Sequence, residues 1–331
     1  MNRTLSTVVL SAVVCAALPA QNQATTLTRL ARDADVVVRA TVLGNAAVPP
    51  GWQRVTLRRQ QLLKGQTGSE FTLAEPGGRC CGRSLFALQP GDDLLLFLKR
   101  IGPTLHLFGD SRAVLPATPA LLQHSAQLIA APSNNAIVDL LVPSLEHIEP
   151  RIADDAAMAL ASLPHVTLSA GQRTVVAACL QQAVQRGATR TAALADVAAR
   201  LGDADMADTL VPIYLHADRD DQARLLRRAL RRFPPQLLAD RLPVHVATGR
   251  TANLRAARLL VELPPANALA AMTQLLQRPN HPSVQLHLCE GLLAAGVQAA
   301  ALRPLVPSVV IELAERHRAR RPVFRNIDPS R

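Results

Sequence analysis

Aromatic residues are scarce in this sequence, which has one Trp, one Tyr and six Phe among 331 residues. Proteins that bind single-stranded nucleic acid commonly stack bases on exposed aromatic rings, so such a stacking surface is poorly supplied here. The apolar half of the composition consists mainly of Ala, Leu and Val. Because Ala and Leu are among the best helix formers, we expect a mainly helical chain.

Lysine is almost absent, since two of the 36 basic residues, Lys64 and Lys99, are lysines and the others are arginines. The formal net charge is +11. Residues 1–20 hold Arg3 and no acidic residue, so without them 35 basic and 25 acidic residues leave +10. Such a surface is attracted to anionic polymers and anionic membranes. A coding bias toward Arg and Ala is the alternative origin of most of this charge.

Long apolar runs are absent after the N-terminal segment, which is apolar up to Leu18. The segment starts with the basic sequence Met1–Arg3, and Pro19 and Ala20 follow it. This order is typical of a secretory signal peptide cleaved after Ala20. A membrane-spanning helix needs about 20 apolar residues, more than this run supplies. We expect a periplasmic or secreted protein; a lipid anchor at Cys15 and the N-terminal helix of a cytosolic protein are the alternatives.

Motifs for catalysis and cofactor binding are missing. The nine histidines form no His-Glu-x-x-His pair, and no glycine pattern for phosphate binding occurs. The block Leu107–Ser111 is similar to the nucleophile block of a serine esterase family. That chemistry also needs an Asp with a His three residues later, which this chain lacks. We expect a protein that is not an enzyme and that uses neither cofactor nor metal.

Four of the five cysteines follow the signal peptide. Cys80 and Cys81 are adjacent in a loop rich in Gly and Arg, and an oxidising compartment permits disulfides there. Two alternatives remain for this pair. One is a strained disulfide between the two cysteines, and the other is a disulfide from each of them to a distant or an intermolecular partner. Adjacent cysteines also lack the gap of common zinc sites. Cys179 and Cys289 lie on apolar helix faces and are predicted to be buried free thiols.

Residues 24–116 are predicted to form a small β-rich domain that begins with a short helix, Thr28–Ala34. Short apolar segments alternate with Gly and Pro turns, a pattern typical of a closed barrel or a sandwich. The predicted strands are 35–44, 54–63, 70–74, 94–98 and 104–108.

Three pieces of this region, Ala34–Val38, Leu63–Gly65 and Gly91–Leu98, carry a resemblance to a known fold. They resemble the barrel of the tissue inhibitors of metalloproteinases, an OB-type fold. Those inhibitors chelate a protease zinc through an N-terminal Cys, whereas this chain starts at Gln21 after cleavage. The resemblance therefore implies the fold alone, since a fold does not fix a function.

Residues 119–320 change to Ala- and Leu-rich segments separated by Pro, Gly and Asp. Four segments align, and their closing residues, Leu201, Phe233, Leu263 and Leu293, lie 32, 30 and 30 residues apart. A second helix is predicted after each segment, at 207–215, 236–246, 266–276 and 299–311, and two earlier ones at 151–163 and 172–184. Helix pairs repeated at a fixed period indicate an α-helical solenoid in which neighbouring pairs share one core.

Two features of this region, the Leu201–Asp203 joint and the Asp-rich turn Asp218–Asp221 before an Arg-bearing helix, resemble HEAT-like repeats. Such repeats also occur in phycobilisome lyases. The resemblance implies an armadillo-type fold for residues 119–320, followed by a C-terminal tail, 321–331. A helical bundle without repeats is the alternative.

Arginine is concentrated on one predicted helix, where five residues at helical spacing lie on one face. Guanidinium groups hold phosphate, sulfate or carboxylate groups through paired donors, so this face is a candidate anion-binding site. A solvated outer face, with Asp218, Asp220 and Asp221 neutralising the helix start, is the alternative. A second cluster, Arg316–Arg321, is predicted to be a solvated or frayed end. The candidate anion-binding residues are Arg224, Arg227, Arg228, Arg231 and Arg232.

The leading hypothesis from the sequence is an exported, non-catalytic scaffold whose partner is another protein. A solenoid offers an extended surface for such a partner. An anionic polymer held by the Arg-rich helix face is the first alternative, and a protease inhibitor-like barrel is the second. We expect no small-molecule cofactor and no transmembrane segment.

Overall fold

The computed structural model describes residues 25–48, 52–76, 88–108, 113–246 and 249–320. A short helix and a curled antiparallel sheet occupy the first part of the chain, and a series of helices follows. The sequence predicts this order of a β-rich part before a helical part. The predicted signal peptide, residues 1–20, and the tail, residues 321–331, lie outside the described residues.

Six strands make up the sheet in the described part of the chain. They are β1 (Val36–Val48), β2 (Trp52–Lys64), β3 (Glu70–Pro76), β4 (Asp93–Ile101), β5 (Thr104–Leu107) and β6 (Val114–Pro116). The order is β3-β2-β1-β4-β5, all antiparallel, and β6 pairs with β4. The sheet curls until its edge strands β3 and β5 come into contact, which makes a half-barrel. The five predicted strands are present; β6, with three residues, is too short to show an alternating pattern and is not predicted.

Strand β4 is buried on both faces. Leu95 and Phe97 pack with helical residues in the larger core, whereas Leu94, Leu96 and Leu98 pack inside the curl of the sheet. A strand covered on both faces has a continuous apolar run instead of an alternating one. The sheet and the helices therefore share one hydrophobic core, and the sheet encloses a second.

The helical elements are α1 (Leu27–Asp33), α2 (Pro119–Ala130), α3 (Asn134–Ser144), α4 (Pro150–Ser162), α5 (Ala170–Arg186), α6 (Thr191–Leu201), α7 (Ala204–Leu215), α8 (Asp220–Leu230), α9 (Pro235–His245), α10 (Arg250–Glu262), α11 (Pro265–Leu276), α12 (Pro282–Ala294), α13 (Ala299–Leu302) and α14 (Ser308–Arg320). Most helices pack against the helix two places further along the chain. One row runs through α3, α5, α7, α9 and α11. The other row has two parts, α4-α6-α8 and α10-α12-α14.

Polar side chains also join helices that lie two places apart along the chain. Arg173 donates to Asp203, 30 residues later, at 2.7 Å. Asn267 donates to Gln236, 31 residues earlier, at 3.0 Å. Other bonds of this kind span 33 residues, from Gln172 to Asp139, and 37 residues, from His245 to Asp208, so these polar contacts have no fixed spacing.

The short helix α1 connects the sheet to the helices. The buried carboxylate of Asp155 in α4 accepts a hydrogen bond of 2.7 Å from the amide of Leu27 at the start of α1. At the other end, Lys64 from β2 and Lys99 from β4 donate to carbonyl groups of the last turn. Cations stabilise the C-terminal end of a helix, and both lysines of the chain are used in this way.

The predicted helix 299–311 is wrong. A single turn, α13, ends at Leu302, and α14 begins at Ser308. Pro304 and Pro307 separate them, because proline lacks an amide hydrogen and clashes with the preceding turn of a helix. The other helices predicted between residues 151 and 294 are present.

Arg316–Arg321 was predicted to be a solvated or a frayed end, and the structure corrects only the frayed alternative. Residues 316–320 belong to α14, and Arg321 lies outside the described residues. Arg318 donates a hydrogen bond of 2.7 Å to the carbonyl oxygen of Leu293 in α12. The cluster therefore continues a helix that packs on its neighbour, and Arg316 and Arg318 are exposed, as a solvated end requires.

Candidate functional site

A cleft opens between α8 and α10, at the interruption in the second row of helices. The backbones of these two helices hardly approach each other, whereas α7 contacts both. The cleft has a volume of about 320 Å³. Four arginine side chains line it, Arg224 and Arg227 from α8 and Arg255 and Arg258 from α10. A larger cleft of about 560 Å³, between the α7–α8 loop and the start of α10, adjoins it at Arg255.

Arg255 is the buried member of the four, with 9% of its side chain exposed. One guanidinium nitrogen, Nη1, donates to the carbonyl oxygens of Leu215 at 3.2 Å and Ala217 at 2.6 Å. The other, Nη2, donates to the carboxylate of Asp220 at 3.3 Å. The guanidinium charge of Arg255 therefore lies against the negative end of α7 and the carboxylate of Asp220. These bonds fix α10 to the end of α7 at the cleft.

Tyr214 lies at the base of the cleft, where its buried hydroxyl donates to the carbonyl oxygen of Arg255 at 3.1 Å. Burial raises the pKa of this hydroxyl to about 12, although Arg227, Arg255 and Arg258 act in the opposite direction. The hydroxyl therefore stays neutral near pH 7. Because it is neutral and already bonded, it is a structural group and not a base.

Glu262, at the end of α10, is shared by two arginines of α8. Its carboxylate lies 3.6 Å from Arg227 and 2.8 Å from Arg231. The hydrogen bond to Glu262 raises the pKa of the Arg231 guanidinium. This bridge links α8 and α10 along the edge of the cleft.

Arg224 and Arg258 differ from their neighbours, since both are exposed and line the cleft. Among the residues that the structure describes, no hydrogen bond or ion pair engages either guanidinium. The four lining arginines set against Asp220 give 4 − 1 = +3, and adding Glu262 together with its second partner Arg231 gives 5 − 2 = +3 again. Two unengaged guanidinium groups on two different helices thus face a small space that is electrically positive.

The five arginines of the predicted site lie in three different environments. Arg224 and Arg227 line the cleft, and Arg231 contacts Glu262 beside it. Arg232 turns the other way and donates to Asp196 of α6 at 3.0 Å. Arg228 is exposed and does not line the cleft. The predicted face therefore does not act as one patch, and its acidic partners come from neighbouring helices.

Arg255 and Arg258 are the residues of the cleft that the sequence prediction missed. Their spacing repeats that of Arg224 and Arg227, 31 residues later in both cases. The offset differs by one residue from the 30-residue spacing of Phe233 and Leu263, so a comparison of arginine positions between neighbouring repeats was the available signal. In the alternative of a solvated face, Asp218, Asp220 and Asp221 neutralise the start of the Arg-bearing helix. Asp220 and Asp221 do lie in the first turn of α8, and their ion-pair partners are Arg255 and Arg219.

The remaining predicted sites concern cysteine and metal. Cys80 and Cys81 lie outside the described residues, so their disulfide stays a prediction. Cys179 and Cys289 are buried and free, as predicted, and burial raises the pKa of both thiols, that of Cys289 to about 11. The described residues contain no group of three His, Cys, Asp or Glu side chains placed to share a metal ion.

No protein-family model matches this chain, and no curated protein matches it at a significant level. The resemblances to HEAT-like repeats and to an OB-type barrel therefore rest on the residues quoted for them. None of the helices in the described part of the chain combines the length and the apolar character that crossing a bilayer requires.

Proposed function

We propose that this chain is an exported, non-catalytic scaffold that holds an anionic partner in the cleft between α8 and α10. One observation carries the proposal: Arg224 and Arg258 face this cleft from two helices without an acidic side chain of their own. Like charges placed close together repel, and an anion between them removes that repulsion. The planar forks of arginine suit ligands that offer two or more oxygen atoms.

In this proposal the helices form a HEAT-like solenoid and the curled sheet is an OB-like barrel. The row contacts of α3 to α14 and the 30- to 32-residue spacing of the apolar segments support the solenoid. The helices α8 and α10 line the cleft without packing closely on each other, which leaves a partner access to it.

Heparin, a sulfated polyanion, provides the first test. The purified chain should bind a heparin column at moderate salt. The double variant Arg224→Ala/Arg258→Ala should elute at clearly lower salt. A matched control, Arg186→Ala/Arg228→Ala, removes the same charge at two exposed residues that do not line the cleft. Equal elution of the two double variants would mean that net charge, and not the cleft, holds the polyanion.

A protein partner that lies along the stacked helices without entering the cleft is the alternative function. The long row of helices favours it, since such rows present extended surfaces. This alternative predicts that a partner identified by cross-linking in the native envelope binds the Arg224→Ala/Arg258→Ala variant as tightly as the original chain. A loss of that binding supports the cleft instead.

The proposed export has its own test. The chain should be recovered from the periplasm or the medium with a new N-terminus at Gln21, as N-terminal sequencing would show. Recovery in the cytosol with Met1 in place contradicts export and leaves the cleft proposal untouched.

A further inference from the structure

We infer that the ligand of the α8–α10 cleft is a terminal phosphate group in its doubly charged form. The inference rests on the proposed function and specifies the anion. The starting observation is the local charge: the four lining arginines against Asp220 leave +3, and the count is the same, 5 − 2 = +3, with Glu262 and Arg231 included. A terminal phosphate carries about −1.5 to −2 at pH 7 and so offsets more of this charge than a singly charged anion does. A carboxylate, a sulfate ester and a phosphodiester each carry a single negative charge and leave a larger positive charge in the cleft.

The helix ends near the cleft do not alter this balance. The carbonyl end of α7 lies against Arg255, and the amide end of α8 begins at Asp220 in the cleft wall. Each end carries about half an elementary charge, negative at the carbonyl end and positive at the amide end. The partial charges of these two helix ends offset each other. The charged side chains therefore determine which ligand charge the cleft favours.

The arrangement of the donors points to the same group. Arg224 and Arg258 approach from two helices, and each presents a planar fork of N–H donors. A carboxylate offers two oxygen atoms in one plane and pairs with one fork in bidentate geometry. A terminal phosphate offers three oxygens around a tetrahedral centre. The guanidinium groups of Arg224 and Arg258, which approach from different directions, can therefore each bind two of these oxygens.

The size of the cleft leaves room for more than the phosphate. A volume of about 320 Å³ is at the small end of ligand pockets, and a second cleft of about 560 Å³ adjoins it at Arg255. The cleft therefore takes the charged group with some attached atoms, and the rest of an esterified ligand lies in the adjoining cleft or outside. A free phosphate ion and the phosphate of a larger molecule share the same chemistry here.

Calorimetric titration with phenyl phosphate and phenyl sulfate tests the inference on the full chain at pH 7.5. The two probes share their ring and differ mainly in charge. Phenyl phosphate should bind at least about tenfold more tightly, a difference that corresponds to about 1.4 kcal/mol. Its affinity should fall between pH 7 and pH 5, because the second pKa of a phosphate monoester is about 6. Phenyl sulfate should show no such fall.

Variants locate the binding. Arg224→Ala/Arg258→Ala should lose at least about tenfold in affinity for phenyl phosphate, and Arg186→Ala/Arg228→Ala should retain it. Thermal melting of both variants checks that they fold. Glu262→Gln removes one negative charge beside the cleft while keeping hydrogen-bonding groups, so it should bind phenyl phosphate more tightly. Unchanged or weaker binding by Glu262→Gln overturns the charge argument.

The outcomes separate this inference from the proposed function. Equal affinity for the two phenyl probes, together with cleft-dependent retention on heparin, overturns the phosphate assignment and leaves the anion-binding scaffold standing. Affinity that is the same in the cleft variant and in the control overturns both. Inorganic phosphate serves as a third probe: binding as tight as that of phenyl phosphate assigns the free ion, and weaker binding assigns an ester.

Discussion

The side chains of Tyr214 and Arg255 each bond to the main chain of the other residue. The hydroxyl of Tyr214 donates to the carbonyl oxygen of Arg255 at 3.1 Å, and Nη1 of Arg255 lies 3.4 Å from the carbonyl oxygen of Tyr214. Both side chains are buried. This reciprocal pair joins α7 to α10 at the base of the cleft and sets the distance between its walls.

Replacement of Arg255 by Met should therefore cost stability. The carbonyl oxygens at the end of α7 lose their donor, and the substitution leaves them buried. We expect Arg255→Met to lower the free energy of unfolding by about 2–3 kcal/mol, and Tyr214→Phe by about 1 kcal/mol. Urea denaturation followed by circular dichroism measures both.

Arg258→Met is the matched control, since Arg258 lines the same cleft from the same helix without an internal partner. It should change the free energy of unfolding by less than about 0.5 kcal/mol. Equal destabilisation by Arg255→Met and Arg258→Met would contradict the structural role of Arg255.

The elements were largely predictable from the sequence, and the site was only partly so. Alternation and Gly or Pro turns located the strands, and the apolar repeat located most helices, because both patterns are local. The error at 299–311 came from weighting Ala and Val above Pro304 and Pro307, which end and restart the helix. The rule that proline interrupts a helix applies to this segment, and the observed break between α13 and α14 follows it.

The cleft depends on relations between helices, which a single-helix pattern does not contain. The spacing of Arg224 to Arg232 indicates one cationic face, but α6 and α10 flank α8 and draw Arg232 and Arg231 in opposite directions. Arg255 looked like any other arginine in the sequence. Its burial against the end of α7 follows from the packing of two helices about 40 positions apart, so only tertiary structure separates it from Arg258.

Gly291 in α12 marks a close approach between α10 and α12. A Cβ atom at this position would lie 2.5 Å from Cγ2 of Val261 and 3.1 Å from Sδ of Met272. Alanine favours a helix by about 1 kcal/mol over glycine, but overpacking costs about 1–3 kcal/mol, so Gly291→Ala should destabilise the protein on balance. Thermal melting should show a lower Tm, and Val261→Ala in the same chain should recover part of it.

Gly171, in the first turn of α5, provides the comparison. A Cβ atom at this position would have no neighbouring atom within 4 Å, so Gly171→Ala should gain up to about 1 kcal/mol. A lower Tm for Gly171→Ala than for Gly291→Ala would refute the close-approach argument.

Gly65 combines a left-handed backbone with a backbone contact. Its φ is +76°, and a Cβ atom would lie 2.1 Å from the carbonyl oxygen of Asp35. Gly102 has a φ of +59° with nothing within 4 Å, so it shares the conformation without the contact. Gly102→Ala should cost about 1–2 kcal/mol from the backbone alone. Gly65→Ala should cost clearly more, because two main-chain segments must move apart; similar urea midpoints for the two variants would show that the contact at Asp35 is unimportant.

His124 in α2 should make stability depend on pH. The side chain is buried, and burial, followed by repulsion from His147, lowers its pKa to about 4 from the ordinary value of 6.5. Between these two values the unfolded chain binds a proton at this residue and the folded chain does not. Stability therefore rises as pH increases from 4 to 6.5 and shows no further change from this group above 6.5.

The size of the effect follows from one proton, about 1.4 kcal/mol per pH unit, so the window contributes about 3 kcal/mol at most. His124→Leu should lose this slope and become more stable than the original chain near pH 5. Urea midpoints measured between pH 4 and pH 7 give the comparison. His165→Leu, which changes an exposed histidine, should keep the slope of the original chain. A slope that persists in His124→Leu would assign the dependence to other groups, since both variants retain every carboxylate.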